Sequence, residues 1–149
     1  MTIKEIQEEI IDEFSMFDDW MERYEYIIEL GKSIPLIDER YKTEDNIIKG
    51  CQSKVWLNAE IKDDKIVYTA DSDAILTKGI IALLLRVFSN HSPQEILNAD
   101  TYFIDKIGLK EHLSPTRANG LVSMIKQLKL YAMAYQAKSP SQPSQQGRA

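Results

Sequence analysis

Residues 74–88, AILTKGIIALLLRVF, constrain this chain more than any other stretch. They are apolar on almost every side, so no surface position would shield them. A helix that is hydrophobic all round is a buried helix, and the rest of the chain must wrap around it. Gly79 inside it costs about 1 kcal/mol relative to alanine, and close backbone packing is the expected compensation. Asp71, Ser72 and Asp73 stand just ahead and offer the oxygens that cap a helix start. The longest wholly apolar run, Ile80 to Leu85, is far too short to cross a bilayer.

The segments around it supply the wrapping. Thr2 and Glu5 have capping-box spacing, and Ile3, Ile6, Ile10 and Phe14 recur at helical intervals, which predicts a first helix ending near Phe14. A second is expected from about Phe17, with Trp20, Tyr24, Ile27, Ile28 and Leu30 on its apolar side and Gly31 as its left-handed stop. The stretch from Ile34 to Asp45 holds Pro35 and no clear period, and reads as a long connection. From Val55 the period becomes two: Val55, Leu57, Ala59 and Ile61 alternate with Trp56, Asn58 and Glu60, the pattern of a half-buried strand. Asp63-Asp64 then turns the chain into an antiparallel partner, Lys65 to Thr69, and Asn46 to Ile48 is read as a short additional strand. Ser92-Pro93-Gln94-Glu95 opens a short helix. Another runs from Tyr102 to Ile107 and closes at Gly108. Ser114-Pro115 begins the last helix, with Leu121, Met124, Ile125, Leu128 and Tyr131 as its buried stripe. Residues 1–138 are expected to form one domain. The remainder, SPSQPSQQGRA at 139–149, has too few apolar anchors to offset the entropy of ordering and is read as a disordered tail.

Composition narrows the function. A net charge of −5 argues against nucleic acid as the main partner, since phosphate contacts need clustered Lys and Arg. The acidic, amphipathic start is unlike a signal peptide, and one cysteine forms no internal disulfide, so a cytoplasmic location is expected. A single Cys with two scattered histidines is too few ligands for a zinc or iron–sulfur site. Neither GxxxxGK[ST] nor GxGxxG occurs. No resident metal or cofactor is expected. The pairs Asp18-Asp19 and Asp63-Asp64 read as a solvated face and a turn.

Cys51 remains. Free cysteines are among the most buried residues and usually inert, yet this one sits in KGCQSKVW, among polar neighbours. Gly50 allows backbone conformations suited to a loop tip. Gln52 and Ser53 can donate hydrogen bonds to a sulfur anion, and Lys49 and Lys54 are expected to pull the thiol pKa below its usual value of about 8.5. The residues alone leave a packing thiol and a reactive one both open. A reactive one could serve a Cys–His hydrolase with His91 or His112 as base. It could equally serve a carrier, whose sulfur is loaded by one partner and unloaded by another. Each histidine stands beside or near a helix-opening Ser-Pro, where surface or capping roles are commoner.

GCQSKVW (50–56), DSDAILTKG (71–79) and HLSPTRANGL (112–121) resemble three signature stretches of SufE-type sulfur-acceptor proteins. The likeness runs from residue 2 to about 138. The resemblance implies an α+β fold similar to the U-type iron–sulfur scaffolds, with a small three-stranded antiparallel sheet packed by helices. It implies that Cys51 takes sulfane sulfur from a pyridoxal-phosphate cysteine desulfurase, stimulates that enzyme, and passes the cargo to an iron–sulfur scaffold complex. Such a chain is a transfer partner rather than an independent catalyst, acting as a monomer or homodimer. Trp56 and the 74–88 helix are candidate shelters for the persulfide, against ordinary core packing. Arg117 matches the third stretch and is expected to contact the cysteine loop or the desulfurase, against a surface ion pair. Asp71 and Asp73 are read as helix caps, although the resemblance sets them near the same region.

Overall fold

The computed structural model describes residues 1–138; the tail expected at 139–149 lies outside the described residues. The elements are α1 (Ile3–Phe14), α2 (Trp20–Gly31), β1 (Val55–Lys62), β2 (Lys65–Ser72), α3 (Ile75–Phe88), α4 (Pro93–Asn98), α5 (Phe103–Lys106), α6 (Leu109–His112) and α7 (Pro115–Lys138). The architecture is α+β: a small antiparallel sheet packed by helices.

Helix α3 is the hub, with 11 of its 14 residues buried. α2 crosses it so closely that the two backbones touch. A Cβ on Gly31 would lie 2.9 Å from the Gly79 nitrogen, and one on Gly79 would run into the carbonyl of Ile27. The packing expected to compensate Gly79 is therefore present. Gly31 is the other half of the same crossing. It closes α2 in ordinary helical geometry, not as a left-handed stop. α2 also starts later than expected, at Trp20, where the Asp19 carboxylate accepts the Glu22 N–H at 2.9 Å. One of the two acidic pairs thus contains a cap. α1 begins with the expected capping box, and Arg86 of α3 reaches back to pair with Glu9 and Glu13.

The hairpin turns where expected, with Lys62 opposite Lys65, but β2 runs three residues past the expected end at Thr69, so that Val55 lies opposite Ser72. Asp63 and Asp64 both take positive φ, 51° and 64°, as a two-residue turn of matching twist requires. The expected third strand at 46–48 is not formed: among the described residues the sheet has two strands. Residues 44–46 form a 3₁₀ turn, and Ile47 makes only an isolated bridge to Trp56. After Ile48 donates to the Val55 carbonyl at 2.8 Å, the chain leaves the sheet. α7 satisfies the edge instead, the hydroxyls of Tyr131 and Tyr135 donating to the carbonyls of Leu57 and Ala59 at 3.4 and 2.8 Å. On the other edge, Ala70 bonds with Pro35 and Ile37, and Ile66 with Asn90 and His91. The long connection thus contains ordered pieces, including a 3₁₀ turn at Glu39–Tyr41.

Neither acidic residue before α3 caps it. Asp71 belongs to β2, the helix begins at Ile75, and the N–H of Ala74 donates to Ser72 Oγ at 3.3 Å. α4 opens with the Ser92–Glu95 capping box. Gly108, at φ 76°, ends the α5 turn and starts a further short helix, α6, which the sequence pattern did not mark. α7 buries Gly120, Leu121, Met124, Leu128 and Ala132, while Ile125 and Tyr131 of the expected stripe are half-buried. Tyr68 donates its hydroxyl to the Leu128 carbonyl at 2.6 Å, locking sheet to helix. Among the described residues no helix is long and apolar enough to cross a membrane.

Candidate functional site

Between the Ile48 bond and the start of β1, residues 49–54 form a loop that lies against the N-terminal third of α7 and the start of α3. Gly50 supplies the turn, at φ 91°, where a side chain would be strained. It also lies so close to α7 that an added Cβ would stand 2.5 Å from Ser123 Oγ. The next residue, Cys51, then falls beside Gly120, and its thiol donates to the Gly120 carbonyl at 3.6 Å. A Cβ on Gly120 would meet the sulfur at 3.5 Å, an ordinary contact, so loop and helix lie side by side there without a glycine being required.

The sulfur borders a cavity of about 260 Å³. The loop contributes Cys51, Gln52 and Ser53; Ala74, Thr77 and Ile80 come from α3 and the residue before it; Arg117, Gly120 and Met124 come from α7. Cys51 is half-buried, and burial pushes its thiol up from the usual range. This corrects the expectation of a pKa lowered by flanking lysines. Lys49 and Lys54 are both exposed, and desolvation alone moves the thiol. Nor do Gln52 and Ser53 bond the sulfur: Gln52 is exposed, and Ser53 donates to Thr77 Oγ1 at 3.1 Å. In the free protein the sulfur is therefore held as a neutral thiol.

The two ends of the loop are held differently. At Lys54 the backbone is clamped: its N–H donates to Asp73 Oδ1 at 3.0 Å, and its carbonyl accepts from Asp73 N–H at 3.2 Å and Ser72 Oγ at 2.8 Å. Asp73 thus anchors the loop. Asp71 does something else. Burial works to raise its carboxyl, but Lys42 at 2.6 Å, the Ser72 N–H and Lys78 at 3.2 Å outweigh this and hold it low. The Lys42 ammonium also lies 5.3 Å over the Trp56 ring. Trp56 therefore stands with this ion cluster, on the β1 face opposite buried Val55 and Leu57, and does not line the cavity. Of the two expected shelters, α3 lines the cavity and Trp56 does not; α7 supplies the rest of the wall. Arg117 is brought beside Cys51 as a cavity-lining residue and forms no ion pair among the described residues.

Neither histidine lines this cavity. His91 is buried, with Nε2 3.0 Å from the Met1 carbonyl, and His112 stacks on Trp20 with Nδ1 2.9 Å from the Gly108 carbonyl. A Cys–His pair is not formed. Among the described residues no three Cys, His, Asp or Glu side chains are placed to hold a metal ion. Sequence reasoning named the 74–88 helix, which supplies Thr77 and Ile80, but missed Gly120, Ser123 and Met124 as neighbours of the loop. The one available signal was a glycine inside a helical stripe at Gly120, the mark of a close approach.

A family model described as SufE, Fe–S metabolism associated domain, matches residues 8–132. A SufE-like protein of Rhizobium meliloti (strain 1021) is 42% identical over 127 residues, covering 82% of this chain and 91% of the relative. SufE-like protein 1, chloroplastic/mitochondrial, of Arabidopsis thaliana is 36% identical over 138 residues, covering 92% of this chain and 37% of that longer protein. A solution structure of a hypothetical protein from Thermus thermophilus superposes with a TM-score of 0.72 at 19% identity, covering 87% of this chain and 94% of that one. At that identity the likeness is one of fold.

Proposed function

The chain belongs to the SufE family of Fe–S metabolism, and from that footing we propose that Cys51 is a sulfur acceptor loaded by a pyridoxal-phosphate cysteine desulfurase. The Cys51 thiolate attacks the outer sulfur of the desulfurase's cysteine persulfide. A new S–S bond forms at Cys51 as the old one breaks, the desulfurase cysteine leaves as thiolate, and Cys51 carries the persulfide. No external oxidant or reductant is consumed. Clearing the persulfide frees the desulfurase for another turnover, and the cargo passes on to iron–sulfur cluster assembly.

One observation carries this reading: a lone thiol, half-buried and weakly bonded, sits on a loop with a glycine turn before it and a clamp after it, beside a small cavity. A permanently packed cysteine needs neither the turn nor the cavity. A carrier needs both, because small thiols strip an exposed persulfide while the donor must still reach the sulfur. Exchange is fastest when the attacking thiol titrates near ambient pH, and burial keeps Cys51 above that. Leaving the cavity relieves the desolvation, so docking both exposes and activates the sulfur. Arg117, in the cavity wall, is suited to balance the charge of the persulfide once it is stowed.

Incubation with an active desulfurase and free cysteine, followed by intact-mass measurement with and without reductant, tests the proposal. The expected result is a reductant-labile gain of one or more sulfur atoms, absent in Cys51→Ser. No gain in the native chain would refute it.

A further inference from the structure

A second hollow, of about 370 Å³, lies beside the cysteine loop, between the segment before it and α7. Ile47, Ile48 and Lys49 form one wall, and Ser123, Lys126 and Leu130 the other. Gly50 packs on Ser123 at its margin, so the hollow ends where the loop begins to turn. α7 continues it as an exposed seam, because Val122, Lys126, Leu130 and Met133 follow one another at helical spacing. Val122, Leu130 and Met133 are 51%, 43% and 55% exposed, an unusual run of uncovered apolar groups on one line of a helix.

The charge of the hollow runs against that of the chain. The whole protein carries −5, yet here Lys49 and Lys126 are exposed, in no ion pair among the described residues, and face a single carboxylate, Asp45. Lys49 is exposed and forms no bond with the Cys51 thiol, which is pushed up by burial. Its charge is free for another purpose.

From this geometry we infer that the hollow and the α7 seam dock an acidic, apolar-tipped segment of the sulfur donor, which pairs with Lys49 and Lys126 and covers Leu130. The inference rests on the carrier reading and adds where the donor holds on. An occupant paired with Lys49 pulls on the residue directly before the Gly50 turn, so docking and exposure of Cys51 are one event. The electrostatic part steers approach and weakens with salt, while the apolar part gives the bound state its lifetime.

The test uses the full chain and the cysteine desulfurase of the same cell, and reads the initial rate of Cys51 persulfide formation against carrier concentration at two ionic strengths. Lys126→Glu raises the half-saturating concentration about five-fold and flattens its salt dependence. Leu130→Asp raises it about ten-fold. Both keep the native maximal rate at saturation and the native rate of Cys51 alkylation without desulfurase. Lys62→Glu, at the end of β1 and outside the residues that line the hollow, serves as the control for net charge and stays within about two-fold of native. Unchanged half-saturation in Lys126→Glu and Leu130→Asp overturns the docking site while leaving the carrier function standing. An equal shift in Lys62→Glu overturns it too. Absence of any persulfide on the native chain refutes the carrier reading itself, and is a different outcome.

Discussion

A partly buried thiol whose hydrogen-bond partner among the described residues is a carbonyl holds its proton. Alkylating reagents react with the thiolate, so the pH profile of Cys51 alkylation reports how strongly the fold favours the neutral form. Burial raises the folded pKa above the unfolded value, which is about 8.5 for an ordinary cysteine. The sign follows. This group's contribution to stability is fully present below the unfolded pKa and is lost as pH rises through the folded one. Iodoacetamide is thus expected to modify the native chain more slowly at neutral pH than the urea-unfolded chain, with a rate midpoint at higher pH. A saturating desulfurase whose own reactive cysteine has been replaced is expected to bring the midpoint back down. A native midpoint equal to the unfolded one would show that the thiol is not shielded. Lys49 and Lys54 illustrate why sequence adjacency misleads at this scale. Both flank the cysteine in the chain, and both are exposed, where water screens their charge.

At the scale of elements, the two-stranded sheet survives because each edge is occupied by something other than a strand. Two strands alone are marginal in water. Here the β1 carbonyls of Leu57 and Ala59 receive the α7 tyrosine hydroxyls, and the β2 edge is bonded by the 35–37 and 89–91 segments. Tyr135→Phe removes the better of the two tyrosine bonds without changing shape. It is expected to cost about 1 kcal/mol, read as a fall in Tm of roughly 3 °C for a chain of this size. An unchanged Tm would mean that water satisfies the Ala59 carbonyl equally well. The same contacts explain which elements were legible in the sequence. α1, α4, the hairpin and the burial of α3 are written in local patterns of caps, alternation and all-round hydrophobicity, and they appear where those patterns put them. The third strand was misread because the groups that replace it lie far along the chain on a helix, where a tyrosine looks like ordinary packing. Gly31 was misread for a related reason. A glycine at a helix end signals a left-handed stop, and nothing local distinguishes that from a helix crossing. Cys51, Gly50 and Arg117 could be named from their motifs, but α7's Gly120, Ser123 and Met124, which shape the pocket, become neighbours of the loop only after folding.

Across the whole molecule, the determinants of stability and of reactivity sit in different places along α3. The backbone contact with α2 occurs at Gly79, within the buried hub, whereas the cysteine loop rests on the helix start and on α7 through one long thiol bond, the Ser53–Thr77 hydroxyl bond and a clamp at Lys54. If this division holds, the two properties separate under mutation. Gly79→Ala drives a methyl group into the Ile27 carbonyl, and overpacking of that kind costs about 1–3 kcal/mol, or roughly 3–9 °C in Tm. Below its transition, however, the variant still builds the loop, so persulfide per folded molecule is expected to match the native chain. Cys51→Ser is expected to do the reverse: all persulfide is lost, while Tm moves by no more than about 3 °C, since it gives up one weak bond in a half-buried position. Thermal melts and intact masses on the same two variants decide the matter. Should Cys51→Ser destabilise the chain as much as Gly79→Ala, the thiol is a packing residue. Should Gly79→Ala abolish loading while folded, the hub and the loop form one mechanical unit, and the freedom that a carrier's loop requires is not there.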